Sequence, residues 1–575
     1  MRSFLLSALL LLATLGVAQV RVKARVTDAD TGEPLPYCAV ALTGGGASTL
    51  TNEEGWFELN APSPDDTVRM ATLGYGTVRM RVGDLALGRA TIRLVPQDIE
   101  LRPLEVTRND RVYRLLAESG KRLRKHRPYR SKLYFGLGTH CAGREVEMVE
   151  AFYNATFDGP RIEALELKNG RIAIAPVDQR YFVNLNTSKA IMRLDVAQDN
   201  GLFAATPFQG SAKELRRAFD VTLEGVQPAE VPLYRIRFAP RVDDGTHFSG
   251  TAWLDTATLA PRRIELHCTD CSVHPFRPLW EGPQLDSVQL HVTQDFVSVD
   301  GSPQLELVTL DYTLRYRSER RNDVVHSTGV MHPFDRGSAF VLPLFDYDAQ
   351  QDDYRKITFL PYDSVFWAGA PQLLRTEQQR RALDFLRTNG QLLGHGLDLP
   401  RHATFFESNY AFWSAERRIG IKYSFPQRTY DGQGVVAKYG TAPDAVKVEL
   451  VAQLYLAMDP VGDSLRFHSA TVFDGFRSYW LIPEEQETDC YLNLFFDLCE
   501  LERRRMAERL RGVTDVEVAR RIHAECTRDM ERTTERYRRE TALGRDRKAL
   551  ARWNAVVNDA LHIDNLRLFG LEGER

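Results

Sequence analysis

Val20-Arg21-Val22-Lys23-Ala24-Arg25-Val26-Thr27-Asp28 is the stretch on which the reading of the fold turns. Apolar residues at the even positions alternate with arginine and lysine at the odd ones, which is the period of a strand with one face buried. The run stops at Ala29-Asp30-Thr31-Gly32-Glu33-Pro34, a cluster of turn residues. Residues 39–42, 56–59, 68–73, 77–82 and 91–95 read as further short strands. Thr51-Asn52-Glu53-Glu54-Gly55 and Gly74-Tyr75-Gly76 supply turns between them. Closely spaced strands with no helical period among them predict a β-sandwich over residues 19–107.

Upstream, Met1-Arg2-Ser3 is followed by an apolar run from Phe4 to Leu15 and then Gly16-Val17-Ala18. A short basic start, an apolar run and small residues before a cut predict a signal peptide at 1–18. The apolar run is shorter than the roughly 20 residues of a membrane-spanning helix. No later window suits such a helix, so the expectation is an exported protein, periplasmic or outer-membrane-associated, with no transmembrane helix after cleavage. The chain ends in charged, helix-like sequence and not in an alternating strand, which weighs against an outer-membrane barrel.

The motifs of the first module also occur in a recognisable order: Val26-Thr27-Asp28, Thr31-Gly32-Glu33-Pro34-Leu35-Pro36, Thr51-Asn52-Glu53-Glu54-Gly55-Trp56-Phe57 and Leu73-Gly74-Tyr75. Together they resemble the carboxypeptidase-regulatory-like domain. That resemblance implies a transthyretin-like sandwich of seven strands, a module found at the start of exported bacterial proteins. It implies no peptidase activity, because the module lacks the catalytic residues of the enzymes after which it was named.

Downstream, residues 108–131 read as a charged helical linker. Residues 132–372 return to strand-like alternation, as in Tyr234-Arg235-Ile236-Arg237-Phe238, with a short helix at 211–219. This predicts a central antiparallel sheet with one face packed. Phe248 to Asp255 and Pro261 to Leu266 are similar to the hairpins of lipoprotein-carrier half-barrels, in which a strand ending in Trp-x-Asp leads to a returning strand. A mixed α/β region is expected over 373–489, with a helix at 373–388 ended by Asn389-Gly390 and a hairpin turning at 459–463. Residues 490–575 read as a helical bundle: Tyr491, Leu494, Phe495, Leu498 and Leu501 share one face, and arginine and glutamate fill the other. The predicted class is therefore multidomain and mainly β with α: an N-terminal β-sandwich, a central antiparallel β-sheet domain and a C-terminal helical region.

Of 575 residues, 43% are hydrophobic and 26% charged, which suits packed domains. The formal net charge of −3 offers no argument for nucleic acid as a partner. None of the 13 histidines lies in a His-Glu-x-x-His pattern, and neither a Gly-x-Ser-x-Gly elbow nor a phosphate-binding loop occurs. No catalytic residue, cofactor or metal site is assigned from sequence. The one dense cluster is His267-Cys268-Thr269-Asp270-Cys271-Ser272-Val273-His274, for which a Cys268–Cys271 disulfide, a metal site and a redox pair all stay open. On a helix advancing about 100° per residue, Cys490 and Cys499 point to opposite sides and should not pair, whereas Cys526 comes from the next helix. The arginine-rich last helices are read as a solvated face laced with ion pairs, or as a basic surface. Phe405, Phe406, Tyr410, Phe412 and Trp413 are read as core, or as a binding patch.

These features favour a non-catalytic cell-envelope protein that binds or scaffolds, with an envelope protein or glycan as partner. One alternative is a lipid carrier, which requires an apolar concave face in the central sheet. Another is a hydrolase with a dispersed site, which requires a pocket holding paired carboxylates or a histidine with a carboxylate.

Overall fold

The fold is described from a computed structural model, which describes residues 20–44, 47–86, 90–97, 110–125, 127–177, 180–181, 190, 193–227, 231–278, 282–347, 353–358, 360–370, 373–393, 410–420, 448–480 and 485–571. The expected signal peptide at 1–18 lies outside the described residues, as do Phe405 and Phe406. The chain forms two compact units, one of residues 1–339 with 368–392 and the other of residues 340–367 with 393–575.

In the first unit, β1 (Val20–Asp28), β4 (Trp56–Ala61) and β7 (Ala90–Leu94) form one sheet in the order β4-β1-β7. β2 (Ala39–Leu42), β3 (Ser48–Leu50), β5 (Thr67–Ala71) and β6 (Val78–Arg81) form a second in the order β3-β2-β5-β6, followed by the short helix α1 (Val82–Ala86). The alternation of β1 is used as the sequence predicts: Val22, Ala24 and Val26 are buried against Val40, Phe57, Leu59, Val68, Met70 and Ile92. Polar motif residues tie the turns together. Asp28 Oδ1 accepts from the Asp30 and Thr31 amides at 2.7 and 2.9 Å, and its Oδ2 accepts from Tyr75 Oη at 2.8 Å. Asn52 Oδ1 accepts from the Glu54 and Trp56 amides. Gly55 has φ +77°, and a Cβ there would stand 2.4 Å from the Val26 carbonyl oxygen, so both backbone conformation and space require glycine.

α2 (Asp110–Arg124) is the helix expected over the linker, and it is packed on one side. Val112, Leu116 and Leu123 are buried, Tyr113 Oη donates to the Phe219 carbonyl, and Arg124 donates to the Ala197 and Phe208 carbonyls. Its charge density suggested a connector, but its buried stripe packs against α3 (Ala212–Ala218), which begins with a Ser211/Glu214 capping box.

The large sheet has eleven strands. Next to one edge are β8 (Pro128–Cys141), β9 (Arg144–Asp158) and β10 (Arg161–Ile174), with β20 (Gln391–Leu393) outermost. After a short hairpin of β11 (Pro176–Val177) and β12 (Arg180–Tyr181), the chain crosses to the far edge. It then meanders back through β13 (Phe219–Gln227), β14 (Leu233–Pro240), β15 (Ser249–Asp255), β16 (Pro261–Cys268), β17 (Gln284–Val299), β18 (Ser302–Arg317) and β19 (Asn322–Arg336). The Trp253-x-Asp255 hairpin is real: Asp255 Oδ1 accepts from the Ala257 and Thr258 amides and turns β15 into β16.

Antiparallel register sorts side chains into two faces. One cross-strand row reads Ala151, Phe135, Met331, Val308, Gln294, Ile264, Ala252 and Ile236, all buried. The adjacent row, on the other face, reads Glu150, Gly136, Val330, Thr309, Thr293, Glu265, Thr251 and Arg237. The apolar face is covered: Phe208 meets Phe238 edge-on, and Phe276 lies 4.5 Å from Tyr312 between ring centroids. The expectation of one packed face needs correction at β8, β9 and β19, where both faces carry buried residues. There the sandwich packs Tyr37, Ala39 and Leu50 against Leu307 and Val330. α4 (Glu377–Asn389) packs on β9 and β10. It starts four residues later than the sequence suggested because Thr376 caps it with Gln379.

The second unit packs a hairpin, β23 (Ala452–Val461) and β24 (Ser464–Asp474), with β21 (Tyr410–Phe412) on the edge of β24. β22 (Val448–Glu449) pairs β25 (Tyr479–Trp480). Besides two short helices at Asp353–Thr358 and Ser364–Gly369, its C-terminal part supplies α5 (Gln486–Arg509), α6 (Val516–Thr541), α7 (Arg547–Leu561) and α8 (Asn565–Leu568). The expected boundaries at 372/373 and 489/490 therefore do not divide compact units. α4 belongs to the first unit, and the hairpin packs on α5 and α6. Nor is α5 apolar on one side only. Every residue from Cys490 to Glu500 is buried, because β23 and β24 cover one side and α6, α7 and α8 the rest. Its polar residues are satisfied internally. Asp497 accepts from Trp413 Nε1 at 2.7 Å, Arg418 Nη2 at 2.6 Å and Asn565 Nδ2 at 2.7 Å. None of the described helices is long and apolar enough to cross a membrane.

Removing one partner of a buried ion pair strands the other without water. Asp497→Ala is expected to destabilise the second unit by about 3–5 kcal/mol, read as a lower urea midpoint at unchanged slope. An unaltered midpoint would show that the Arg418–Asp497–Asn565 network is not what holds α5 in place.

Candidate functional site

The polar face of β8 carries Tyr134, Gly136, Gly138 and His140 in succession. Two of these positions have no side chain, and a Cβ at Gly138 would meet nothing within 4 Å. Glycine inside a strand weakens it and marks places where something approaches the backbone closely. Here Gly136 and Gly138 form the floor of a cleft of about 350 Å³. Its walls are Tyr37, Asn52 and Glu53 of the sandwich, Glu145, Met148 and Glu150 of β9, His326 and Thr328 of β19, and Arg375, Thr376 and Gln378 leading into α4. Glu54 helps hold the wall in place by accepting the Glu377 amide at 2.8 Å, a carboxylate at the N-terminus of α4.

Glu150 is the electrostatic centre of the cleft. Burial alone would raise its carboxyl, but Arg171 and Arg375 more than offset this and hold it down at about 2. Arg171 donates to its Oε2 through Nε at 2.7 Å, Arg375 also donates to Oε2, and Tyr134 Oη donates to Oε1 at 3.2 Å. The hydrogen bond from His140 to Glu145 raises the imidazole above its ordinary value, against the opposing effect of burial. Gln378 Nε2 lies 3.3 Å from His140 Nε2, and the His326 ring centroid lies 6.4 Å from that of His140.

A histidine with a carboxylate does stand in a pocket, as the dispersed-hydrolase alternative requires. The same lining also holds the Thr328 and Thr376 hydroxyls and the Glu53 and Glu145 carboxylates, while Glu150 is kept as an anion at neutral pH by its two arginines. The arrangement suits recognition: an open backbone at Gly138, two tyrosine rings, a Glu150 carboxylate held by Arg171 and Arg375, and buried polar atoms, His140 Nδ1 and Glu145 Oε2, that have no hydrogen-bond partner among the described residues.

The cysteine cluster singled out in the sequence is not assembled as a site. Cys268 and Cys271 are joined as a disulfide with Cα atoms 5.5 Å apart. His267 stacks on His291 at 4.2 Å, and His274 stacks on Phe276. Among the described residues, no group of three or more His, Cys, Asp and Glu side chains is arranged to hold a metal ion. Cys38, Cys141, Cys490, Cys499 and Cys526 are free and buried. Burial pushes Cys38 and Cys490 up to about 12 and Cys141 to about 11, which leaves them unreactive as thiolates. Tyr410 is buried, Phe412 is exposed, and Trp413 packs toward the second unit's core. The arginines of α5 to α7 largely pair with neighbouring acids, as in Arg503–Glu500, Arg505–Glu502 and Arg532–Asp529. Sequence reading missed the cleft. Its one local signal was Gly136-Leu137-Gly138 inside an alternating run; Arg171 and Arg375 are brought to Glu150 only by the fold.

Residues 22–102 match the family model of the CarboxypepD_reg-like domain. No curated protein matches the chain. Among solved structures, it is similar to MucB of Pseudomonas aeruginosa, in a MucA/MucB complex, at 11% identity and TM-score 0.16, covering 38% of this chain and 93% of that one. It is also similar to a LolA superfamily protein of Nitrosomonas europaea at 11% identity and TM-score 0.17, covering 42% of this chain and 98% of that one. At such scores neither likeness establishes fold or function.

A carboxyl held down in the folded state stabilises it above the ordinary value of 4.5 and loses that contribution as pH falls toward about 2. Stability is therefore expected to decline across this window, and Glu150→Gln should flatten the decline while costing about 3 kcal/mol at neutral pH. Urea midpoints measured from pH 2 to 7 check both. Thiol titration after unfolding should count five thiols without reductant and seven with it, in line with five free cysteines among seven.

Proposed function

We propose that this chain, with its N-terminal carboxypeptidase-regulatory-like domain, is a non-catalytic binding protein of the cell envelope. Its recognition site is the cleft between the sandwich and the polar face of the large sheet. The observation that supports this is the cleft floor on β8, where Gly138 leaves the backbone open and the Tyr134 ring lies over Gly136, beneath walls in which Glu150 is held by two arginines while His140 Nδ1 and Glu145 Oε2 are buried without a hydrogen-bond partner among the described residues. Such a surface receives a polar ligand without reorganisation. We assign a glycan, or an exposed segment of an envelope protein, as the ligand, and periplasmic exposure through the apolar leader at 1–18 as its route to it. An acyl chain would need room on the opposite face, where Leu266, Val292, Leu310, Tyr312 and Met331 are buried among the protein's own side chains.

Native mass spectrometry of the protein purified from its own envelope tests this. The wild type is expected to carry a glycan or protein mass that Gly138→Phe, which fills the cleft, loses while its unfolding free energy stays within about 1 kcal/mol of wild type. A bound mass that survives Gly138→Phe would place recognition elsewhere, and a lipid-sized mass would move the function to the apolar face.

A further inference from the structure

A second cleft, of about 630 Å³, opens between the β5–β6 side of the sandwich and the β16–β18 region of the sheet. Four arginines line it: Arg69 and Arg79 from the sandwich, Arg262 and Arg263 from β16. Two carboxylates face them. Asp295 is consumed by Arg263, which donates to it through Nε at 2.6 Å and Nη2 at 2.8 Å. Glu306 faces Arg336 first, outside the cleft lining, and Arg69 and Arg262 at longer range. The lining thus holds four arginines against two carboxylates, one of them taken by Arg263 and the other shared with Arg336.

The placement of Arg69 and Arg79 is the unusual feature. They stand directly opposite one another on paired antiparallel strands. Like charges in that position repel and destabilise a sheet. Neither has an ion-pair partner among the described residues, although Arg81, one pair further along, is matched by Asp65. The mismatch is confined to the side that faces the cleft. Around it, Thr72, Thr77 and Gln97 supply uncharged polar groups, and Tyr37 and Tyr75 supply rings.

We propose that this cleft binds a phosphate-bearing saccharide, its anionic group held between Arg69, Arg79 and Arg262 and its hydroxyl-rich body against the tyrosines and threonines. Guanidinium groups match phosphate geometry, and the cavity is larger than one inorganic anion needs. The site stands independently of whatever fills the glycine-floored cleft.

The test is calorimetric titration of residues 19–575 with glucose 6-phosphate, glucose, tetraglutamate and vesicles with and without lipid A. Glucose 6-phosphate or the lipid A vesicles should bind, more weakly as salt rises, and glucose should not. Binding of the soluble sugar phosphate places the ligand in solution; binding confined to lipid A places it on a headgroup. Arg69→Ala and Arg79→Ala should each weaken binding about tenfold or more. Arg79→Glu should abolish it while holding or raising the melting temperature, since it turns a like-charged pair into an opposite one, whereas purely structural arginines would lower it. Gly138→Phe should leave this binding intact, which separates failure here from failure of the other cleft. No binding by either phosphorylated probe, binding unchanged in Arg79→Glu, or tighter binding of tetraglutamate would each overturn the proposal.

Discussion

The pairing of β19 with β8 is the constraint on which the first unit depends. It joins residues as distant in sequence as Cys141 and Val325, and it welds a three-strand segment to a seven-strand meander. Loop closure over such a span is entropically costly, and the return comes only when the whole register is in place. That register makes the apolar row continuous from Ala151 to Ile236. It also sets His326 beside His140 and Val330 beside Gly136, which forms the cleft floor. A slip of one residue would send every side chain of β19 to the wrong face.

The two faces of this sheet have different energetic roles. The inward face is filled with aliphatic and aromatic side chains and supplies burial. The outward face is polar, and the sandwich covers only part of it, through a small apolar contact at Leu50, Leu307 and Val330. On either side of that contact the two surfaces diverge into clefts, and Tyr37 borders both. In one cleft the charges are paired internally, around Glu150. In the other, arginines from both walls exceed their carboxylates. Recognition is thus expected from the margins of a domain contact, where polar groups are held rigidly and still reached by water.

The second unit solves a different problem. A helix buried on all sides must either be wholly apolar or bring partners for its polar groups. α5 does the latter, with Asn493, Asp497 and Glu500 each bonded by groups from distant segments. These residues therefore read as architecture, and their polarity is no sign of a site.

Period and turn chemistry are local, and for that reason the sequence alone determined six of the seven strands of the sandwich, all but Ser48–Leu50, together with the Trp253–Asp255 hairpin, the short helix after Ser211 and the long C-terminal helices. The motif residues Asp28, Asn52, Gly55 and Tyr75 were legible because each acts on backbone only a few residues away or within one small domain. What covers an element is not local. Only the tertiary structure decided that α2 is packed, that α4 joins the first unit, and that α5 is enclosed. It alone brought Arg171 and Arg375 to Glu150, and Arg262 and Arg263 within one cleft of Arg69 and Arg79. Charges from separate strands and domains acquire their meaning from distance, and distance is set by the register of the sheet and the docking of the sandwich.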